Sequence, residues 1–236
     1  MKTATPIVAL DVATGAEALA FVHRLGDRCG FYKIGSELFT REGPSVVHAI
    51  RHAGCDVFLD LKFHDIPNTV REAARSAASL GVRLITVHAS GGAAMVRAAV
   101  DGAGQDCGVL AVTVLTSLDS IALARAWGRG ATDVSEEVAR LAGIAAEAGA
   151  HGVVCSGQEA GSVHRAYGDR LALLVPGIRL SGGEAHDQAR TSTPAAAAGA
   201  GARYIVIGRA VTGAVDPVAA MDRVRDELAG ARPLIA

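Results

Sequence analysis

The sequence predicts an α/β fold, a (β/α)8 TIM barrel, on three observations. Eight short β-rich runs alternate with stretches rich in Ala, Leu, Arg and Glu, and such alternation predicts βαβ units on a parallel sheet. The chain has 236 residues, close to the ~250 that a barrel of this class takes. Polar side chains gather at the downstream ends of the runs, where this fold carries its active sites, while the upstream ends stay apolar. A doubly wound open sheet is the rival. No linker or charge block divides the chain, so residues 1–236 are expected to form a single barrel domain.

The runs are IVALDV (7–12), GFYKIG (30–35), DVFLDLKF (56–63), LITVHA (84–89), GVLAVTVL (108–115), GVVCS (152–156), LALLVPGI (171–178) and YIVIG (204–208). TVREAARSAASLG (69–81) and SEEVARLAGIAAEAG (135–149) have the apolar spacing of helices packed on one face. AAAAGAGA (195–202) reads as a helix end and turn, and the helix boundaries within 116–135 are the least defined. Asp11 lies near the end of the first run, Lys33 is in the second, Asp60 and Lys62 close the third, and His88 closes the fourth. Thr116, Arg179 and Arg209 follow the fifth, seventh and eighth.

Half of the residues are hydrophobic and 20% are charged, enough to bury a sizeable core. With 23 basic and 24 acidic residues the net charge is −1, which gives no electrostatic reason to expect nucleic acid or a membrane surface as partner. A single tryptophan, Trp127, and 4% aromatic content supply no stacking platform for bases. Cys29, Cys55, Cys107 and Cys155 form no C-x-x-C pair and are expected to be reduced and buried in a cytoplasmic protein. The first residues lack a signal-peptide pattern, and no apolar stretch is long enough to span a bilayer. His48 and His52 are spaced for a metal, but no H-E-x-x-H completes them, and a solvated helix face is expected. G-x-S-x-G and Walker A patterns are missing, and GAGARY precedes a strand, so it is no dinucleotide fingerprint.

The stretch FLDLKFHDIPNTV (58–70) carries three charges at the end of an apolar run. Strand alternation puts Val57, Leu59 and Leu61 on one face, against the outer helices, and Phe58, Asp60 and Lys62 on the other, inside the barrel. Asp60 and Lys62 are then neighbours at its mouth. Asp65 falls in the loop before a helix starting near Pro67 to Thr69; it either caps that helix or serves a site. At the other side of the mouth, barrel enzymes often bind phosphate on the loops after strands seven and eight. Here those loops hold Gly177, Arg179, Gly182, Gly183, Gly208 and Arg209. Glycine lets backbone N–H groups approach an anion, a helix N-terminus adds a favourable dipole, and arginine supplies bidentate contacts.

FLDLKFHDIPNTV resembles the signature of the orotidine 5′-phosphate decarboxylase family in its shorter bacterial form. ALD (9–11), YKIG (32–35), TVHASGG (86–92), VTVLTS (112–117), VPGIRLSGGEAHDQAR (175–190) and IVIGRAVT (205–212) extend the resemblance in order over nearly the whole chain. It implies a cofactor-independent carboxy-lyase that converts orotidine 5′-monophosphate to UMP and CO2 in de novo pyrimidine biosynthesis. Lys62 matches the lysine that stabilises the carbanion and donates the proton. Asp60 matches the carboxylate near the substrate's own, and Lys33 completes the charge network and touches the ribose. Asp11 would accept the ribose hydroxyls. Asp65 and Thr69 match residues that reach the neighbouring subunit's site, which implies a homodimer with active sites at the interface. Thr116 would meet the pyrimidine, Pro176 joins the substrate-binding set, and Arg179, Gln188, Gly208 and Arg209 match phosphate and gate-loop positions. The loop 179–190 would close over the ligand, and His88 would play a supporting part. The alternative is a magnesium-dependent sugar-phosphate decarboxylase or aldolase of the same barrel group. Those enzymes resemble the chain at Asp11 and D-x-K-x-x-D but typically have an acidic residue where this chain has Lys33. A lysine there repels a divalent cation, so no metal is expected. A phosphate-binding barrel without activity is a third possibility, opposed by the filled reactive positions.

Overall fold

Eight parallel strands pair in sequence order and the last closes on the first, in a computed structural model that describes residues 3–130, 132–180 and 191–231. They are β1 (Thr5–Ala9), β2 (Phe31–Gly35), β3 (Asp56–Phe63), β4 (Leu84–His88), β5 (Gly108–Val112), β6 (Gly152–Val154), β7 (Ala172–Val175) and β8 (Tyr204–Ile207). The closed ring is the barrel expected from the eight runs, and the open doubly wound sheet is excluded.

Strand alternation sorts the apolar residues into two layers. Ile7, Phe31, Phe58, Leu84, Leu110, Leu174 and Tyr204 fill the barrel interior. Val8, Tyr32, Val57, Leu59, Ile85, Val109, Leu173 and Ile205 point outward and pack beneath the helices. Phe58 is thus inside and Val57 and Leu59 outside, as the period of two requires. Residues buried on both faces explain why the runs read as nearly continuous hydrophobic segments.

The helices start where cap chemistry permits. Asp133 accepts the Ser135 and Glu136 N–H groups at the head of Val134–Glu147, and Asp119 accepts Ala122 N–H before Ser120–Trp127. Pro67 opens Pro67–Ser79, as its fixed φ and missing N–H allow. That helix lies against Gly92–Ala103, and a Cβ on Gly102 would stand 2.1 Å from the Arg71 carbonyl oxygen. Only glycine permits so close an approach. The 195–202 run is the helix Pro194–Gly199 followed by a turn with Gly201 at φ +93°, as expected.

Several strands are shorter at their downstream ends than their apolar runs. β1 stops at Ala9, β5 at Val112 and β7 at Val175. Both neighbours of β5 end level with Val112, β4 at His88 and the three-residue β6 at Val154, so the ladder stops there. The freed residues become the loops of the mouth. The four cysteines are buried free thiols, and burial pushes Cys107 up to about 12, so it is inert at neutral pH. Among the described residues no helix is long and apolar enough to cross a membrane.

Two half-buried histidines set an acid limit on stability. Burial, then the charges of Arg203 and Arg83, hold His151 below the ordinary histidine pKa. Burial, then His64 and Lys62, lower His88 against the opposing pull of Asp60. A lowered value in the fold means that the unfolded chain takes up protons first as pH falls below about 6.5. Stability is therefore complete above that pH and declines as pH drops from there toward the folded-state values. His151→Gln is expected to flatten the fall of Tm between about pH 7.5 and 5. An unchanged slope removes His151 from this account.

Candidate active site

Strands β1 to β3 deliver a row of charges to one end of the barrel. Asp11 lies two residues past the end of β1, on the face that Ile7 and Ala9 set. Lys33 stands above Phe31 in β2, and Asp60 above Phe58 in β3. Lys33 Nζ is 3.0 Å from Asp11 Oδ1 and 3.8 Å from Asp60 Oδ2, and Lys62 Nζ is 2.8 Å from Asp60 Oδ2. The order Asp11, Lys33, Asp60, Lys62 alternates in sign. Asp60 is only 9% exposed, and a lone carboxylate there would be costly. Two ammonium groups and the Thr86 hydroxyl, 2.9 Å from Oδ1, remove that cost. The charges that interrupt the third apolar run are therefore one paired network. Gly35 leaves room for it, since a Cβ there would lie 3.0 Å from Lys33 Nζ.

Lys62 has φ +52°, the one positive φ at a non-glycine position among the described residues. Such a conformation costs about 1–2 kcal/mol in an L-residue and gathers at functional sites. It coincides with a break in strand register. Leu59 pairs with Ile85 and Phe63 with Val87, so β3 advances four residues while β4 advances two. Strict alternation did not foresee this bulge, although Asp60 and Lys62 still meet.

A cavity of about 300 Å3 opens above this network. Asp11, Lys33, Asp60 and Lys62 line one side, and Thr116, Pro176, Gly177, Arg179, Gly208 and Arg209 the other, over an apolar floor that includes Phe58 and Val206. The size falls at the lower end of small-molecule pockets, ~300–1,000 Å3. The Arg179 guanidinium donates to the Ile178 carbonyl at 2.9 Å, and its backbone N–H to Ser192 at 2.9 Å, which ties β7's exit to the segment before Pro194–Gly199. Ten of the sequence-predicted positions, including Gly177, meet here.

Others do not. Asp65 and Thr69 are exposed and outside this cavity. The Asp65 carboxylate accepts its neighbour Ile66 N–H at 2.6 Å, and Pro67–Ser79 has no side-chain cap, so the reading of Asp65 as a helix cap is corrected. The N-cap position is held by Ile66, whose side chain has no acceptor, and Asp65 stands one residue before it. Gln188, Gly182 and Gly183 lie outside the described residues, as does most of the loop 179–190. His88 packs its ring 5.4 Å from His64 beside the network but does not line the cavity. His48 and His52 are exposed, and His52 Nδ1 is 2.7 Å from the His48 carbonyl, the solvated face expected. Thr86 escaped the sequence reading. Alternation in LITVH puts it inward, between Leu84 and His88, and a polar residue in the middle layer of a barrel is the signal that could have found it.

A larger hollow of about 560 Å3 lies at the opposite, upstream end. Its arginines are largely engaged with carboxylates, Arg28 with Asp222 at 2.9 Å and Arg83 with Asp56 at 2.9 Å. In this fold that end serves stability rather than chemistry.

The closed parallel barrel, with a lysine–aspartate network around a buried Asp60 and an arginine-bearing cavity at the C-terminal ends of its strands, defines an enzyme of the (β/α)8 class. The chain belongs to the orotidine 5′-phosphate decarboxylase / HUMPS family, whose model matches residues 5–224. It is 52% identical over 212 residues to the orotidine 5′-phosphate decarboxylase of Anaeromyxobacter sp. (strain K), covering 90% of this chain and 92% of that one. It is 47% identical over 233 residues to the enzyme of the same name from Syntrophotalea carbinolica, covering 95% of each. The crystal structure of orotidine 5′-phosphate decarboxylase from Lactobacillus acidophilus superposes with a TM-score of 0.84 at 38% identity, over 95% of this chain and 99% of that one.

Proposed function

We propose that this chain, as one barrel catalytic domain over residues 1–236, decarboxylates orotidine 5′-monophosphate to UMP and CO2 in de novo pyrimidine biosynthesis without a cofactor. The observation that carries this reading is the alternating row Asp11, Lys33, Asp60, Lys62 at the mouth, with Lys62 Nζ held 2.8 Å from Asp60. Breaking the bond between C6 and the carboxylate leaves its electron pair on C6. An ammonium group fixed beside that carbon stabilises the developing charge before any solvent rearranges. Lys62 then gives C6 a proton, so that substrate plus one proton yields UMP plus CO2. Asp60 holds Lys62 in place and puts negative charge next to the departing carboxylate. Lys33, 3.0 Å from Asp11, orients it toward the ribose hydroxyls. Lys33 also puts a cation of the chain's own between the two carboxylates, where a divalent metal would otherwise find its ligands. That favours metal-free chemistry over the magnesium-dependent alternative.

Thr116 and Pro176 face the pyrimidine in this reading, and Arg179, Gln188, Gly208 and Arg209 take the phosphate. Asp65 and Thr69 serve the site of a second subunit in a homodimer. Their exposure, and that of Ile66 between them at 67%, supports a contact there. The protein works in the cytoplasm, with free thiols.

Incubation with orotidine 5′-monophosphate in excess EDTA, followed by loss of the substrate's ultraviolet absorbance, tests the reading. Turnover undiminished by EDTA is expected. EDTA-sensitive turnover, or turnover only of a keto-sugar phosphate, would establish the alternative. Arg209→Ala is expected to raise KM by about ten- to a hundredfold, since a charge-assisted contact contributes ~1.5–3 kcal/mol. Some loss of kcat should accompany it, because remote binding energy helps to assemble the site. Orotidine without the phosphate should be indifferent to the change. Equal slowing of both substrates would reject the phosphate assignment.

A further inference from the structure

We infer that Thr86 is a positioning residue that sets the backbone of Lys62 and the carboxylate of Asp60 in one geometry; the inference rests on the function proposed above. Thr86 is fully buried in the middle of β4, at 0% exposure. Its hydroxyl accepts the Lys62 backbone N–H at 2.9 Å and donates to Asp60 Oδ1 at 2.9 Å. A hydroxyl has one proton and two lone pairs, so both bonds are made at once and each has a fixed direction.

The register break explains the need. Between the Leu59–Ile85 and Phe63–Val87 pairs, β3 carries Asp60, Leu61 and Lys62 while β4 carries Thr86 alone. The bulge takes the Lys62 N–H out of the regular ladder, and a side chain of β4 receives it. A buried N–H without an acceptor is rarely tolerated. The left-handed φ of +52° at Lys62 is therefore held by the Thr86 acceptor, while the same oxygen's proton fixes the Asp60 rotamer that places Oδ2 against Lys62 Nζ. Thr86 touches the aspartate and the lysine backbone, is not among the residues lining the cavity, and acts through both.

Thr86→Val keeps the shape and removes both bonds, whereas Thr86→Ser keeps both. A displacement of about 1 Å at a reacting group can cost ~10²-fold in rate. Thr86→Val should thus lower kcat by about a hundredfold with KM for orotidine 5′-monophosphate within about threefold, because the phosphate side of the cavity is untouched. Thr86→Ser should stay within about threefold of wild type in both. Calorimetric titration with UMP gives the fraction of competent sites, so a loss from misfolding is separated from a loss in kcat. Amide exchange at Lys62, read by NMR, adds an arm independent of activity: protected in wild type and Thr86→Ser, fast in Thr86→Val. Thr86→Cys, with a weaker donor and acceptor, is expected to fall between Ser and Val if the Val variant does not fold. Serine losing as much kcat as valine, cysteine matching serine, or a protected Lys62 amide in Thr86→Val overturns the inference. An inactive wild-type enzyme with the exchange pattern intact would instead overturn the proposed function.

Discussion

Lys62→Ala is expected to lower decarboxylation by at least about a thousandfold while the barrel stays folded. Two effects vanish together. The ammonium no longer stabilises charge at C6, an effect of ~10²–10³-fold for one preorganised donor. No general acid delivers the proton, a further ~10²–10⁴-fold. Stability should change little. The Lys62 side chain is 37% exposed, so it fills no core, and its removal leaves Asp60 with Lys33 at 3.8 Å and Thr86. Alanine accepts the left-handed backbone no worse than lysine. Turnover, Tm and UMP affinity measured on one preparation decide the matter. A variant that keeps more than about a hundredth of wild-type kcat would leave Lys62 without the role given to it.

On the proposed homodimer with Asp65 serving the second subunit's site, the Asp65→Ala and Lys62→Ala variants are each expected to be nearly inactive, and a mixture that exchanges subunits to regain activity. Lys62 belongs to the cavity of its own barrel, bound to Asp60 and Thr86. Asp65 lies in the loop after β3, exposed and outside that cavity. In a mixed dimer one site carries both lesions, and the other joins an intact Lys62 to an intact Asp65. Random exchange makes about half of the dimers mixed, each with one good site of two, so about a quarter of wild-type activity should return if the sites are independent. Recovery at that level establishes a shared site and the homodimer together. No recovery after verified exchange assigns Asp65 to its own barrel.

Much of this molecule was legible from local pattern. Eight apolar runs separated by helical stretches can bury both faces of a strand only in a sheet covered on each side, which is why the barrel is legible in the sequence. The period of two placed Phe58 inside and Val57 outside. The position of polar residues in each run located the mouth, and Asp11, Lys33, Asp60, Lys62, Arg179 and Arg209 line one cavity there. Strand ends were less legible, because a strand stops when its neighbour stops. The apolar character of GVLAVTVL says nothing of the three-residue β6 beside it.

By itself, the sequence determined the barrel, the end at which its charged residues gather and which residue types gather there, because these follow from side-chain periodicity and from the order of residues along each strand. Tertiary structure alone decided how those residues are held. The bulge in β3, the left-handed Lys62 and the Thr86 hydroxyl between Lys62 and Asp60 depend on the register between two strands separated by a helix. Register is a relation between residues 24 and 26 positions apart, set by packing of the whole ring, and no local pattern in either strand encodes it.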